Sequence, residues 1–149
     1  MKFTRKDLEE KLGLRNDQRK LVMKFQKELP ILTENGEGFC VNARDLHNEL
    51  EVGRDFSTWI KARIKRYNYE EKNDFEVFTK SGGNSKGGRP TTEYKLTLDM
   101  AKELCMVENN EKGKLARKYF ILIEKVLKGM IEWNQVRHPE KEGYKLMSS

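Results

Sequence analysis

Two β-prone runs, Asp74-Phe75-Glu76-Val77-Phe78-Thr79 and Thr92-Glu93-Tyr94-Lys95-Leu96-Thr97, flank the segment Ser81-Gly-Gly-Asn-Ser-Lys-Gly-Gly-Arg-Pro90. Aromatic and β-branched residues suit a pleated strand, and the glycines and proline between them mark a reversal of the chain. The pattern predicts a β-hairpin with a long, glycine-rich, basic tip. No apolar residue lies in that tip, so nothing in it drives packing, and it has the chemistry of a wing. Glycine amides together with Lys86 and Arg89 suit close approach to a phosphate backbone. A nucleotide-binding P-loop is excluded, because Lys86 precedes two glycines and the tip leads into a second strand rather than a helix.

Upstream of the hairpin, Arg54 to Tyr67 reads as a helix. At 100° per residue Phe56, Ile60, Ile64 and Tyr67 share one apolar arc, while Arg54, Lys61 and Lys65 share another face. Further upstream, Phe39-Cys40-Val41 reads as a short strand. Asn42 is a good N-cap for a helix over Ala43 to Leu50, with Gly53 just past its end. The turn before the strand, Thr33 to Gly38, is marked by Asn35-Gly36. At the N-terminus, Thr4 caps a short helix bearing Leu8 and Leu12 and ended by Gly13. A second helix from about Asp17 to Leu29 carries Leu21, Val22, Phe25 and Leu29 on one stripe before Pro30. Such short amphipathic helices cannot bury their faces alone, so packing on the main module is favoured over an oligomer interface or a helix-turn-helix.

Downstream, Thr97 caps a helix from Leu98 to Glu108. The run Asn109 to Gly113 interrupts it, and a long helix follows from near Lys114 to about Trp133. Leu115, Tyr119, Leu122, Val126 and Trp133 alternate three- and four-residue spacings. Gly129 breaks the series, which favours core packing over a dimeric coiled coil. The remainder, Arg137 to Ser149, reads as a polar tail. The expected fold is α+β: helices around a short strand and a β-hairpin wing, with an N-terminal helical pair and a long C-terminal helix. The expected divisions are residues 1–35, 36–128 and 129–149.

The net charge of +6 is concentrated. Arg54, Lys61, Arg63, Lys65 and Arg66, offset by Asp55, give +4 over 54–66, and Lys80, Lys86 and Arg89 give +3 over 79–92. The rest of the chain is net −1. A localised excess of this kind is the footprint of an anionic partner, and these eight bases are the candidate contacts with DNA or another regulator. No metal-ligand spacing, no nucleophile with a spaced base and no cofactor fingerprint is present, so an enzyme, a cofactor or a metal is not expected. His47 and His138 are too far apart in the chain to suggest a ligand pair. Cys40 and Cys105 lie among apolar neighbours and read as buried, reduced thiols. No apolar run reaches membrane-spanning length and no signal core follows Met1, which predicts a soluble, cytoplasmic protein.

Taken in order, Val41-Asn-Ala-Arg-Asp-Leu-His47, Phe56-Ser-Thr-Trp-Ile-Lys61, Asp74-Phe75 and Gly88-Arg-Pro-Thr-Thr-Glu-Tyr94 resemble the AntA/AntB antirepressor domain of phages and prophages. Leu98 to Leu104, Met106 to Asn109 and Arg117 to Phe120 extend the resemblance over roughly Phe39 to Lys125. It implies a regulator of phage lysogeny, related to the Bro-N and KilA-N families of viral DNA-binding domains, in a bacterial host cell. The implied partner is DNA, a phage repressor protein, or both. Homo-oligomers through the N-terminal helices or the C-terminal helix are a further expectation. About forty residues precede the resembling block, and a short tail stands where many relatives carry a second domain.

Overall fold

The computed structural model describes residues 2–34, 36–82 and 88–137. Lys86, Asn35, His138 and the polar tail, about which the sequence raises expectations, lie outside the described residues. The elements run α1 (Asn16–Glu28), β1 (Phe39–Asn42), α2 (Ala43–Glu49), α3 (Phe56–Tyr67), β2 (Phe75–Gly82), β3 (Gly88–Thr97), α4 (Leu98–Met106) and α5 (Glu111–Arg137). A π-helical turn, Asp7–Lys11, precedes α1, and a 3-10 turn, Pro30–Thr33, follows it. The architecture is α+β, as the sequence predicts.

The caps explain the boundaries. Asn42 accepts from the N–H groups of Arg44 and Asp45, Asp55 from Thr58, and Thr97 from Met100. Each side chain satisfies a donor that the first helical turn leaves unpaired. Asn68 ends α3 in the left-handed conformation, φ 54°, with its N–H on the Ile64 carbonyl. At the N-terminus, Thr4 and Asp7 cap each other reciprocally at 3.1 Å, and Gly13, φ 60°, closes the π-helical turn.

β1, β3 and β2 form an antiparallel sheet in that order. The hairpin ladder is longer than the sequence suggests. Pairing continues past Thr79↔Thr92 to Lys80↔Thr91 and Gly82↔Gly88, taking residues expected in the tip into the strands. Pro90 is tolerated on β3 because β1 pairs β3 only from Lys95 to Thr97, so no ladder bond is lost on that side. A bulge between Phe39 and Val41 leaves Cys40 exposed while Val41 is buried. Cys40 is therefore not the buried thiol its neighbours suggest. Cys105 is buried, and burial pushes its thiol up to about 12.

One core runs through the molecule. Leu8, Val22, Phe25 and Leu29 from the N-terminal segment join Leu46, Trp59, Ile60, Leu96, Met100, Leu104, Ala116 and Tyr119. Phe25 stacks on Tyr119 with centroids 3.7 Å apart, and Lys112 on α5 pairs with Glu28 at the end of α1 at 3.3 Å. The N-terminal helices thus pack on the module, the favoured expectation. α5 begins at Glu111, three residues before the sequence suggests, because Asn110 caps it. Its carbonyl oxygen accepts from Gly113 N–H at 2.9 Å while its amide donates to the Leu50 carbonyl at 2.8 Å.

Two ion pairs lock the helices to each other and to the hairpin. Glu108, buried in the α4–α5 turn, accepts from Trp59 Nε1 at 2.6 Å and from Arg63 Nη2 at 2.8 Å. Arg117 Nη1 donates to the carbonyls of Met106 and Glu108 at 2.7 and 2.8 Å. Glu93 on β3, also buried, takes a forked pair from Arg44 at 2.7 to 3.1 Å, and the Arg44 guanidinium lies 4.3 Å from the centre of the Phe56 ring. The hydrogen bonds from Arg44 hold the Glu93 carboxyl below its usual range.

Gly113→Ala would drive a Cβ into the backbone carbonyl of Glu108, so urea denaturation should show a loss of about 1–3 kcal/mol, the cost of overpacking. Glu108→Ala strands the buried Arg63 and Trp59 donors and should cost about 3–5 kcal/mol by the same measurement. Glu93→Ala should cost less, about 1.5–3 kcal/mol, since the Arg44 side chain keeps 43% of its surface in water. Because the folded Glu93 carboxyl titrates below its unfolded value of 4.5, its contribution is present above that pH and is lost as pH falls through the folded pKa. Stability measured from about pH 6 down to pH 3 should therefore fall less steeply in Glu93→Gln than in the parent.

Candidate nucleic-acid interface

α3 is anchored by Phe56, Trp59 and Ile60, all buried. At 100° per residue Lys61 and Lys65 fall about 40° apart on the side turned away from that anchor, and Arg54 stands just before the helix. All three are exposed. Arg54 precedes the Asp55 cap rather than lying in the helix, and its carbonyl is held by His47 Nε2 at 2.7 Å. The His47 ring packs against Phe56 and Trp59 with centroids 5.7 and 5.3 Å away. His47 therefore fixes the α2–α3 turn from which the basic face starts. The backbone hydrogen bond from Thr58 keeps the Asp55 carboxyl below its ordinary range, so a negative charge stands at the start of the helix.

The other bases of the helix differ in placement. Arg66 is exposed on a flank of α3, its guanidinium 5.8 Å from the Tyr67 ring centre. Arg63 points inward to Glu108 and is spent on the core; its side chain is 21% exposed. The helical angle accords with this, since Arg63 falls within the arc spanned by the buried Trp59, Phe56 and Ile60. Trp59, fully buried, widens the apolar face about 60° beyond the predicted stripe, while Tyr67, included in that stripe, is 38% exposed at the helix end.

On the hairpin, Glu76 to Ser81 of β2 and Arg89 to Thr92 of β3 are exposed throughout, so the ribbon leaves the core beyond Phe75 and Glu93. Lys80 and Arg89 are carried on this exposed part. A cleft of about 340 Å³ joins the ribbon to the helix. It is lined by Ser57 and Lys61 of α3, Thr91, Thr92 and Tyr94 of β3, and Arg44 of α2. Lys61 thus shares a concavity with two strand hydroxyls. The Arg44–Glu93 pair that holds the two walls together joins residues 49 positions apart, and no local pattern announces it. Ser57, Thr91 and Thr92 are likewise invisible in the charge pattern.

Among the described residues, no group of three or more His, Cys, Asp or Glu side chains is arranged to hold a metal ion, and no helix is long and apolar enough to cross a membrane. No curated protein and no solved structure matches the chain. One family model does match. It is described as AntA/AntB antirepressor and aligns with residues 41–110, from β1 through α2, α3, the hairpin and α4 to the Asn110 cap of α5. Antirepressors of this kind are regulatory rather than catalytic. The basic face of α3, the ribbon and the cleft between them all fall inside that segment, and it is this part of the chain, residues 41–110, that is similar to the AntA/AntB antirepressor family.

Proposed function

We propose that this protein acts in transcriptional control of a phage or prophage by binding DNA through the outer face of α3 and the hairpin wing. The observation that carries this reading is the shared cleft. Lys61 stands on one wall and Thr91 and Thr92 on the other, with Arg54 and Lys65 continuing the basic side of the helix and Lys80 and Arg89 continuing along the ribbon. A cationic helix face beside a projecting basic ribbon suits a duplex, where ammonium and hydroxyl groups take phosphate oxygens and a thin ribbon enters a groove. Arg89 and Lys86 are the candidates to reach base edges. Arg63 is omitted from this surface because its charge is neutralised by Glu108.

A second reading is direct binding of a phage repressor protein, without DNA. The exposed Val77 and Phe78 on the ribbon favour it, since phosphates have no use for apolar side chains. In that case the same bases would steer toward an acidic patch on the repressor.

Binding to the neighbouring operator and to the repressor encoded beside it, measured side by side over a range of salt, separates the readings. On the DNA reading, log affinity for the operator falls linearly with log salt, and Lys61→Ala with Lys65→Ala flattens that slope by about one unit per lost phosphate contact. A repressor complex that forms while operator binding stays undetectable would sink the DNA reading.

A further inference from the structure

β2 is the edge of the sheet, and among the described residues no strand pairs with its outer side. Two hydrogen bonds fix what that side offers. Thr97 N–H donates to the Asp74 carbonyl across the ladder at 2.9 Å, whereas the Phe75 carbonyl accepts from Lys72 N–H at 2.6 Å on the other side. In an antiparallel pair the direction alternates with each residue. The N–H and C=O of Glu76, Phe78 and Lys80 therefore point to β3, and those of Val77 and Thr79 point outward. Val77 and Phe78 keep 39% and 37% of their surface exposed. A long exposed edge with apolar side chains is a template for another strand.

We propose that β2 pairs antiparallel with β2 of a second copy of this chain, about a two-fold axis through Phe78. In that register the outward-facing Val77 and the partner's Thr79 exchange both backbone hydrogen bonds, and so do Thr79 and the partner's Val77. Phe78 meets the partner's Phe78 at the non-bonded position, where side chains approach most closely. Glu76 stands across from the partner's Lys80, and the symmetry repeats that pair. The order Glu-Val-Phe-Thr-Lys is thus self-complementary in charge about its centre. Centring the axis on Val77 or Thr79 removes the Glu76–Lys80 match.

The pairing is short, because Lys72 occupies the outer side of Phe75. The irregularity after Lys80 in the β2–β3 ladder is where the partner strand turns away. The result is an isologous contact that makes one six-stranded sheet from two three-stranded ones. It draws Lys80 into the contact between copies. The cleft beside Lys61 is lined by β3 and not β2, so the dimer leaves it open and presents it twice, related by the two-fold axis. This inference rests on β2 alone and holds or fails independently of what the cleft binds.

The test uses the full chain with Cys40→Ser, since Cys40 is exposed and Cys105 is buried. Across the axis the Cα atoms of a non-bonded pair are about 4.5 Å apart, within disulfide reach, so Phe78→Cys should cross-link to itself on mild oxidation. Ser81→Cys lies opposite the partner's Phe75, roughly 20 Å from its own copy at ~3.3 Å per residue, and should not. In sedimentation, Thr79→Pro should abolish the dimer while its circular dichroism stays that of the parent, because its N–H faces away from β3. Glu76→Lys should raise the dimer Kd about tenfold by setting two like-charge pairs, and adding Lys80→Glu should restore it. A parent chain that stays monomeric at every concentration, equal cross-linking at 78 and 81, or a dimer indifferent to the Glu76 and Lys80 exchanges would overturn the proposal.

Discussion

The buried carboxylate of Glu108 fixes how α3 sits against the α4–α5 turn. A buried charge is tolerable only with partners on its lone pairs, and Glu108 finds them in the indole of Trp59 and the guanidinium of Arg63, one turn apart on α3. Its backbone carbonyl, taken by Arg117, fixes the same turn to α5. The absence of a side chain at Gly113 lets the first turn of α5 come up against that carbonyl. Rotation of α3 about its own axis would break the indole and guanidinium bonds together. The angle at which Lys61 and Lys65 face solvent is therefore set on the opposite side of the helix, by a buried carboxylate.

The Arg44–Glu93 pair does for the ribbon what Glu108 does for the helix. It joins the first turn of α2 to the middle of β3, just where the strands leave the core, and stacks against Phe56 on the way. The cleft between α3 and β3 is consequently walled by two elements that are each held by a buried acid. Both acids are surrounded by bases that a charge count would assign to the outer surface. After Arg63 and Arg44 are set aside as structural, the cations left are Lys61, Lys65 and Arg66 on α3 and Arg54 just before it, all exposed.

Much of this was legible in the sequence, where the information is local. Asn42 and Thr97 announce their helices, Pro30 marks the end of α1, and the two β-prone runs pair with each other. The failures share a cause in tertiary structure. Asn109 to Gly113 look like a helix breaker, yet Asn110 starts α5 because its amide also reaches Leu50. Cys40 has apolar neighbours in sequence, but a bulge turns it outward. Arg63 was grouped with the surface bases although its helical angle lay among the apolar residues. Its angle lies only about 20° from that of Phe56, whereas Trp59 lies about 60° from it and is drawn inward by the distant Glu108.

The stacking of Phe25 on Tyr119 bears on how the domain can be moved between proteins. Neither ring lies within residues 41–110, and the α1–α5 clasp they form covers the back of α4 with help from Lys112 and Glu28. The family segment thus carries the basic helix face and the ribbon, and the clasp lies outside it. A chimera built by transplanting the segment alone would carry the basic helix face and the ribbon on a module with its apolar back uncovered. A graft that behaves as a portable unit has to take both flanking helices with it.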